Sequence, residues 1–242
     1  MKALVRDNDR HQRAGGLAAL YLALAYLIAM PYFLIAVDYL GVTDPAEKVG
    51  LLAEHQGSMT AIYLITYVIF GIVLAVLSLA LYRRMKDGAP VMMQVATAVG
   101  LIWAFVLVAS GLVFNFGMET VAGLYDGHPD QAIAAWQAIE PVTEGLGGAG
   151  GEILGGLWVL LVSWTALCTG GLPKTLGWLG AAIGLVGIVS IVPALRDAGM
   201  VFGTLQIVWL AWTGVVMLRT TERAVERVAQ KAGVAEAQGL AL

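Results

Sequence analysis

Residues 59–81 read MTAIYLITYVIFGIVLAVLSLAL, twenty-three positions without a charge, and the run is closed by Arg83, Arg84 and Lys86. A helix needs roughly 20 mostly apolar residues to cross a hydrocarbon layer of about 30 Å, where every backbone polar group must be satisfied within the segment. The stretch therefore reads as a membrane helix ending at a charged interface. Working outward, five further uncharged runs have the same character: Ala14 to Val37, Val91 to Phe116, Ile153 to Thr169, Thr175 to Leu195 and Met200 to Leu218. The chain is 59% hydrophobic and 13% charged, with a mean hydropathy of +0.80, whereas soluble domains are about 45–50% apolar and about 25% charged. The expected fold is all-α, a six-transmembrane-helix bundle over 14–218. A basic tail precedes it (1–13), a long outer loop interrupts it (117–152) and a helical tail follows it (219–242). The first run is longer than a signal-peptide core, and no Ala-x-Ala cleavage site directly precedes the acidic loop at Asp38, so it reads as a retained span.

The net charge of −3 gains meaning once it is divided between the two faces. Lys2, Arg6, Arg10, Arg13, Arg83, Arg84, Lys86, Lys174, Arg219, Arg223, Arg227 and Lys231 fall on one side, 12 of the 14 basic residues, leaving Lys48 and Arg196 on the other. By the positive-inside rule the crowded side is cytoplasmic, so both termini are expected inside, in the plasma membrane (the inner membrane of a bacterium). Arg219, Arg223, Arg227 and Lys231 recur every four residues and form a stripe that can face anionic lipid headgroups.

Gly88-Ala89-Pro90 and Gly171-Leu172-Pro173 punctuate the cytoplasmic turns, with proline suited to the first position of the next helix. In the long outer loop, His128-Pro129-Asp130 marks a helix start, and Trp136 suits the headgroup level of a short interfacial helix that Pro141 should break. Gly147, Gly151 and Gly155 then recur at four-residue spacing, as do Gly180 and Gly184 in the fifth span. Small residues on one stripe let backbones approach closely, so spans four and five are expected to pack through them. The single cysteine, Cys168, excludes an intramolecular disulfide and reads as a packing residue.

The stretch Gly171-Leu172-Pro173-Lys174-Thr175-Leu176-Gly177-Trp178-Leu179-Gly180, together with Arg13-Ala14-Gly15-Gly16-Leu17, resembles a bacterial six-span integral membrane protein family classed only as a domain of unknown function. The resemblance implies a plasma-membrane protein and no activity.

Exclusions bound the chemistry. No lysine lies deep in a span to carry retinal, no pair of histidines lies within the spans to hold a haem, and there is no His-Glu-x-x-His or phosphate-cradling Gly-x-x-x-x-Gly-Lys. No cofactor and no nucleic-acid partner is expected. What remains is an outer acidic group: Glu119, Glu140, Glu144 and Glu152, with Asn115 and His128 nearby as polar contacts. Glu152 stands out because a carboxylate within a helix-packing segment requires a partner, a proton or a cation. Trp103, Phe114, Phe116, Trp136 and Trp158 are candidates for an aromatic wall favouring an organic cation. Two functions fit: a binder, transporter or sensor of a small molecule or cation in a cavity between spans three and four, or a non-catalytic partner or assembly subunit. The first requires Glu152 to face a cavity, the second a neighbouring helix or water. Lipids are partners in either case, and a membrane-protein partner or a second copy belongs to the subunit alternative.

Overall fold

The structure, a computed structural model, describes residues 2–147 and 152–239, with side chains from 10 to 147 and 152 to 220. Gly151 and the side chains of Arg223, Arg227 and Lys231 lie outside the described residues. Helix α1 (Lys2–Pro31) runs into a π-helical turn, Tyr32–Ala36. Helix α2 (Pro45–Glu54) is capped by Asp44, whose carboxylate accepts from the N–H groups of Ala46 and Glu47 at 2.9 Å, with Pro45 in the first position. Helices α3 (Gln56–Tyr63) and α4 (Phe70–Met85) are joined without a break by a π-helical segment, Leu64–Ile69. Then follow α5 (Pro90–Tyr125), α6 (Pro129–Gly147), α7 (Ile153–Thr169), α8 (Lys174–Val189) and α9 (Ala198–Gly239). No strand occurs among the described residues.

Arg10–Ala36, Gln56–Met85, Pro90–Tyr125 and Ala198–Thr220 are each long and apolar enough to cross a membrane, while α7 and α8 are shorter apolar helices. These form one bundle. Leu22, Leu74, Trp158, Phe202 and Trp209 are fully buried at its centre, and a second core around Tyr63, Phe114, Met118 and Trp136 sits where α2, α3 and α6 pack on α5.

Helix α7 packs on α8, and α1 on α9. The closest approach of the first pair is at Gly156: a Cβ there would lie 2.7 Å from the Gly184 carbonyl oxygen and 2.8 Å from the Gly187 carbonyl carbon. Gly155 faces Trp103 and Phe202 instead, and Gly180 faces Ser163 and Trp209. At the end opposite α2 and α6, Arg84 donates to the Gly171 carbonyl at 2.7 Å, to Gln12 Oε1 at 2.8 Å and to Thr220 Oγ1 at 3.3 Å, tying α4 to α1, α9 and the α7–α8 turn.

The segment between α5 and α7 differs from expectation. Helix α5 does not end with the apolar run at Phe116 but continues to Tyr125; its 36 residues extend about 54 Å, and α6 folds back along it. Pro141 does not break α6. Both Pro141 and Gln137, whose carbonyl loses its donor, are exposed, so water can take that bond. Ser110 of α5 donates to the Thr143 carbonyl at 2.8 Å and holds the helix beyond the proline. Trp136 is buried within the protein rather than exposed on the surface of an interfacial helix, its ring edge-on to Phe114 at 5.1 Å. Cys168 is exposed rather than packed.

Candidate functional site

A cavity of about 230 Å³ opens at the end of the bundle that carries α2 and α6. Its walls come from α1, the α3–α4 segment, α5, α6 and α9, so it does not lie between α5 and α7 as expected; α7 itself contributes no lining residue, and only Glu152, just before it, reaches the cavity. Both π-helical segments border it, the first through Phe33 and Leu34 and the second through Thr66 and Tyr67. A π turn inserts a residue into a helix and re-aims the side chains around it, which is why such turns recur at sites. Seven of its 24 lining residues are aromatic: Tyr26, Phe33, Tyr39, Tyr63, Tyr67, Phe70 and Phe114. Tyr63 stacks on Phe114 at 3.5 Å between ring centres and on Tyr67 at 4.8 Å, fixing these rings as a continuous wall.

Glu152 lines this cavity as the residue preceding α7. Its backbone N–H donates to Ser190 Oγ at 3.0 Å, and the buried Ser190 hydroxyl donates to the Gly187 carbonyl, so the main chain is anchored to the end of α8. The carboxylate has neither hydrogen bond nor ion pair among the described residues. It retains some accessible surface, yet it is surrounded by protein, and this burial pushes its carboxyl up to about 7. A carboxylate at a helix N-terminus gains roughly 0.3–1 kcal/mol from the helix dipole. Desolvation outweighs that gain here, since each pKa unit corresponds to about 1.4 kcal/mol. The raised pKa leaves the carboxyl open to a proton or a cation near neutral pH.

Glu140 also reaches the cavity but is already partnered. It accepts from Lys48 Nζ and from the Tyr39 hydroxyl, each at 2.6 Å, while Lys48 lies 4.9 Å from the centre of the Tyr39 ring. Burial, reinforced by the bond to Glu140, pushes the Tyr39 hydroxyl upward and keeps it a donor. Lys48, one of two basic residues expected outside, thus joins α2 to α6. Glu144 and Arg196 line the cavity from exposed positions.

The other candidates lie elsewhere. Glu119 and His128 are exposed and outside the lining. Asn115 is half-buried, and its amide donates to the Thr60 carbonyl at 3.5 Å, joining α5 to α3. Of the glycines, Gly147 borders the cavity against Leu107, and Gly184 meets the Gly156 backbone. Phe114 is the one anticipated aromatic in the lining; Trp103 and Trp158 belong to the deeper core and Phe116 is exposed. Tyr26 and Tyr67 were not legible as site residues, since a tyrosine in an apolar run carries no mark of the face it occupies. No group of three or more His, Cys, Asp or Glu side chains is arranged to hold a metal among the described residues. The Glu152 carboxyl, without a side-chain partner among the described residues and set beside aromatic rings, suits a monovalent cation or a proton.

No curated protein and no solved structure matches the chain. A family whose members carry a domain of unknown function (DUF4386) matches residues 16–219 of the 242, and with four helices apolar enough to span a bilayer the chain belongs to that family as one of its membrane proteins.

Proposed function

We propose that this chain is a six-span plasma-membrane protein, with both termini cytoplasmic, that binds an organic cation in an outward-facing acidic cavity, as a binder, transporter or sensor. The observation that carries the reading is the carboxylate of Glu152, without a partner among the described residues, on the wall of a cavity rich in aromatic rings. Orientation rests on the charge division: Arg84, Gln12 and Thr220 meet at the end rich in Lys and Arg, and the cavity lies at the acidic end. The six-span count adds α7 and α8 to the four longer segments; at 17 and 16 residues they extend about 24–26 Å, close to the hydrocarbon thickness. Residues 1–13 and 219–242 are then cytoplasmic tails.

The test is the melting temperature of detergent-solubilised protein across pH, with and without cations. A carboxyl whose pKa rises from 4.5 unfolded to about 7 folded binds more protons in the folded state between those values, so stability falls as pH rises through this window. Wild type should lose stability from pH 5 to 8, and Glu152→Gln should lose less. Tetramethylammonium or hexylammonium at pH 8 should restore wild type, by about 2.7 kcal/mol at a hundredfold excess over Kd, and leave the variant unmoved. Identical responses in the two proteins would assign Glu152 to packing and favour the partner-subunit function.

A further inference from the structure

We propose that the centre of the bundle, below the cavity, holds a buried water site built by Gln206, Trp209 and Thr213 of α9 with Ser163 of α7. The three α9 residues are three to four positions apart, on one helical face, and all four side chains are fully buried. Among the described residues no partner exists for either polar atom of the Gln206 amide, for the Trp209 indole N–H, or for the Thr213 and Ser163 hydroxyls. A second unpartnered pair, Trp158 Nε1 of α7 and Ser78 Oγ of α4, lies beside it.

Glycines let two pairs of these groups come together, Ser163 with Trp209 and Trp158 with Ser78, while Gln206 and Thr213 flank Trp209 one turn away on either side along α9. A Cβ on Gly180 would collide with both Ser163 Oγ and Trp209 Nε1, and a Cβ on Gly100 with both Trp158 Nε1 and Ser78 Oγ, so the two atoms of each pair lie within about 5 Å of each other. The Trp158 and Trp209 rings meet edge to face at 5.8 Å and join the pairs. A polar group at this depth has no lipid partner, and leaving so many unmade hydrogen bonds would rival the net stability of a domain.

The donor set selects the ligand. Two indole N–H groups and the Gln206 amide N–H can only donate, while the hydroxyls and the amide oxygen can accept. A cation would meet the indole N–H groups head-on, and no positive side chain is present to balance an anion. Water both donates and accepts and needs two to four polar partners, which this site offers. Its position is informative as well. Gly199 and Gly203, the preceding turns of the α9 face, line the outer cavity, and Thr220 at the other end meets Arg84 and Gln12. The water site lies between them and continues the floor of the cavity inward, whatever that cavity binds.

Radiolytic hydroxyl-radical labelling in ¹⁸O-water, which marks side chains beside bound water, tests this on the full-length protein in detergent. Trp209, although fully buried, is expected to incorporate ¹⁸O in wild type. Gln206→Met, nearly the same volume without the amide, should reduce that labelling several-fold and lower the melting temperature, because it strands the water's other partners. Absence of Trp209 labelling in wild type overturns the proposal, and that arm decides even if the variant fails to fold. A melting temperature that rises in Gln206→Met also overturns it, since removing a dry unsatisfied amide relieves the core.

Discussion

Gly156→Leu is expected to abolish the folded bundle. The added side chain has no rotamer to choose, because the collision begins at its Cβ, 2.7 Å from the Gly184 carbonyl oxygen and 2.7 Å from the Ile188 nitrogen, both main-chain atoms. Overpacking a core that can shift costs about 1–3 kcal/mol. Here the obstacle is the backbone of α8, so the two helices must separate and surrender their contacts with Trp158 and Ile183, both fully buried. Gly123→Leu is the control, since nothing lies within 4 Å of a Cβ there, and it should melt like wild type. Denaturation in SDS read by circular dichroism measures both. Wild-type melting of Gly156→Leu would mean that α7 and α8 are not in backbone contact.

Lys48→Met should be the next most damaging change. It leaves the Glu140 carboxylate with only the Tyr39 hydroxyl, at a position where both partners of the ion pair are four-fifths buried or more. Removing one partner of a buried pair costs about 3–5 kcal/mol, mostly the penalty of the stranded charge, whereas replacing both with apolar groups of similar volume is often neutral. Lys48→Met should therefore lower stability strongly, and Lys48→Met with Glu140→Leu should recover most of the loss. If the double variant is no more stable than the single one, the pair is not what holds α2 to α6.

The contrast between these two sites shows what is legible in a sequence. The apolar runs are set by bilayer thickness, a constraint acting on each segment alone, and so Met59 to Leu81 could be recognised without knowing its neighbours. Gly156 could not: it breaks the four-residue stripe of Gly147, Gly151 and Gly155, and only the rotation of α7 against α8 places it, rather than Gly155, at the closest approach. Helix α6 departs from its sequence expectation for a related reason. Pro141 breaks a helix that must satisfy every carbonyl internally, but on an exposed face the freed carbonyl has water, and burial of Trp136 against Phe114 holds the helix in place.

The candidate site was partly legible. Glu152 was identifiable because a carboxylate adjoining a packing segment conflicts with its surroundings, and such conflicts concentrate at sites. Its company was not. Glu119 shares its charge but is exposed outside the cavity, and Glu140 is consumed by a lysine 92 positions away. Tyr26 and Tyr67 enter the cavity from different spans, one of them on a π-helical segment whose altered register defeats a 3.6-residue count.

The most direct measurement is equilibrium binding of hexylammonium to the protein in nanodiscs by isothermal titration, from pH 6 to 8, for wild type and Glu152→Gln. The account predicts saturable binding of one cation per chain by wild type at pH 8. Affinity should fall toward tenfold per pH unit below about 7, as the carboxyl gains its proton, and drop at least tenfold in the variant at pH 8. No saturable binding in wild type, or equal affinity in the two proteins at every pH, would contradict it.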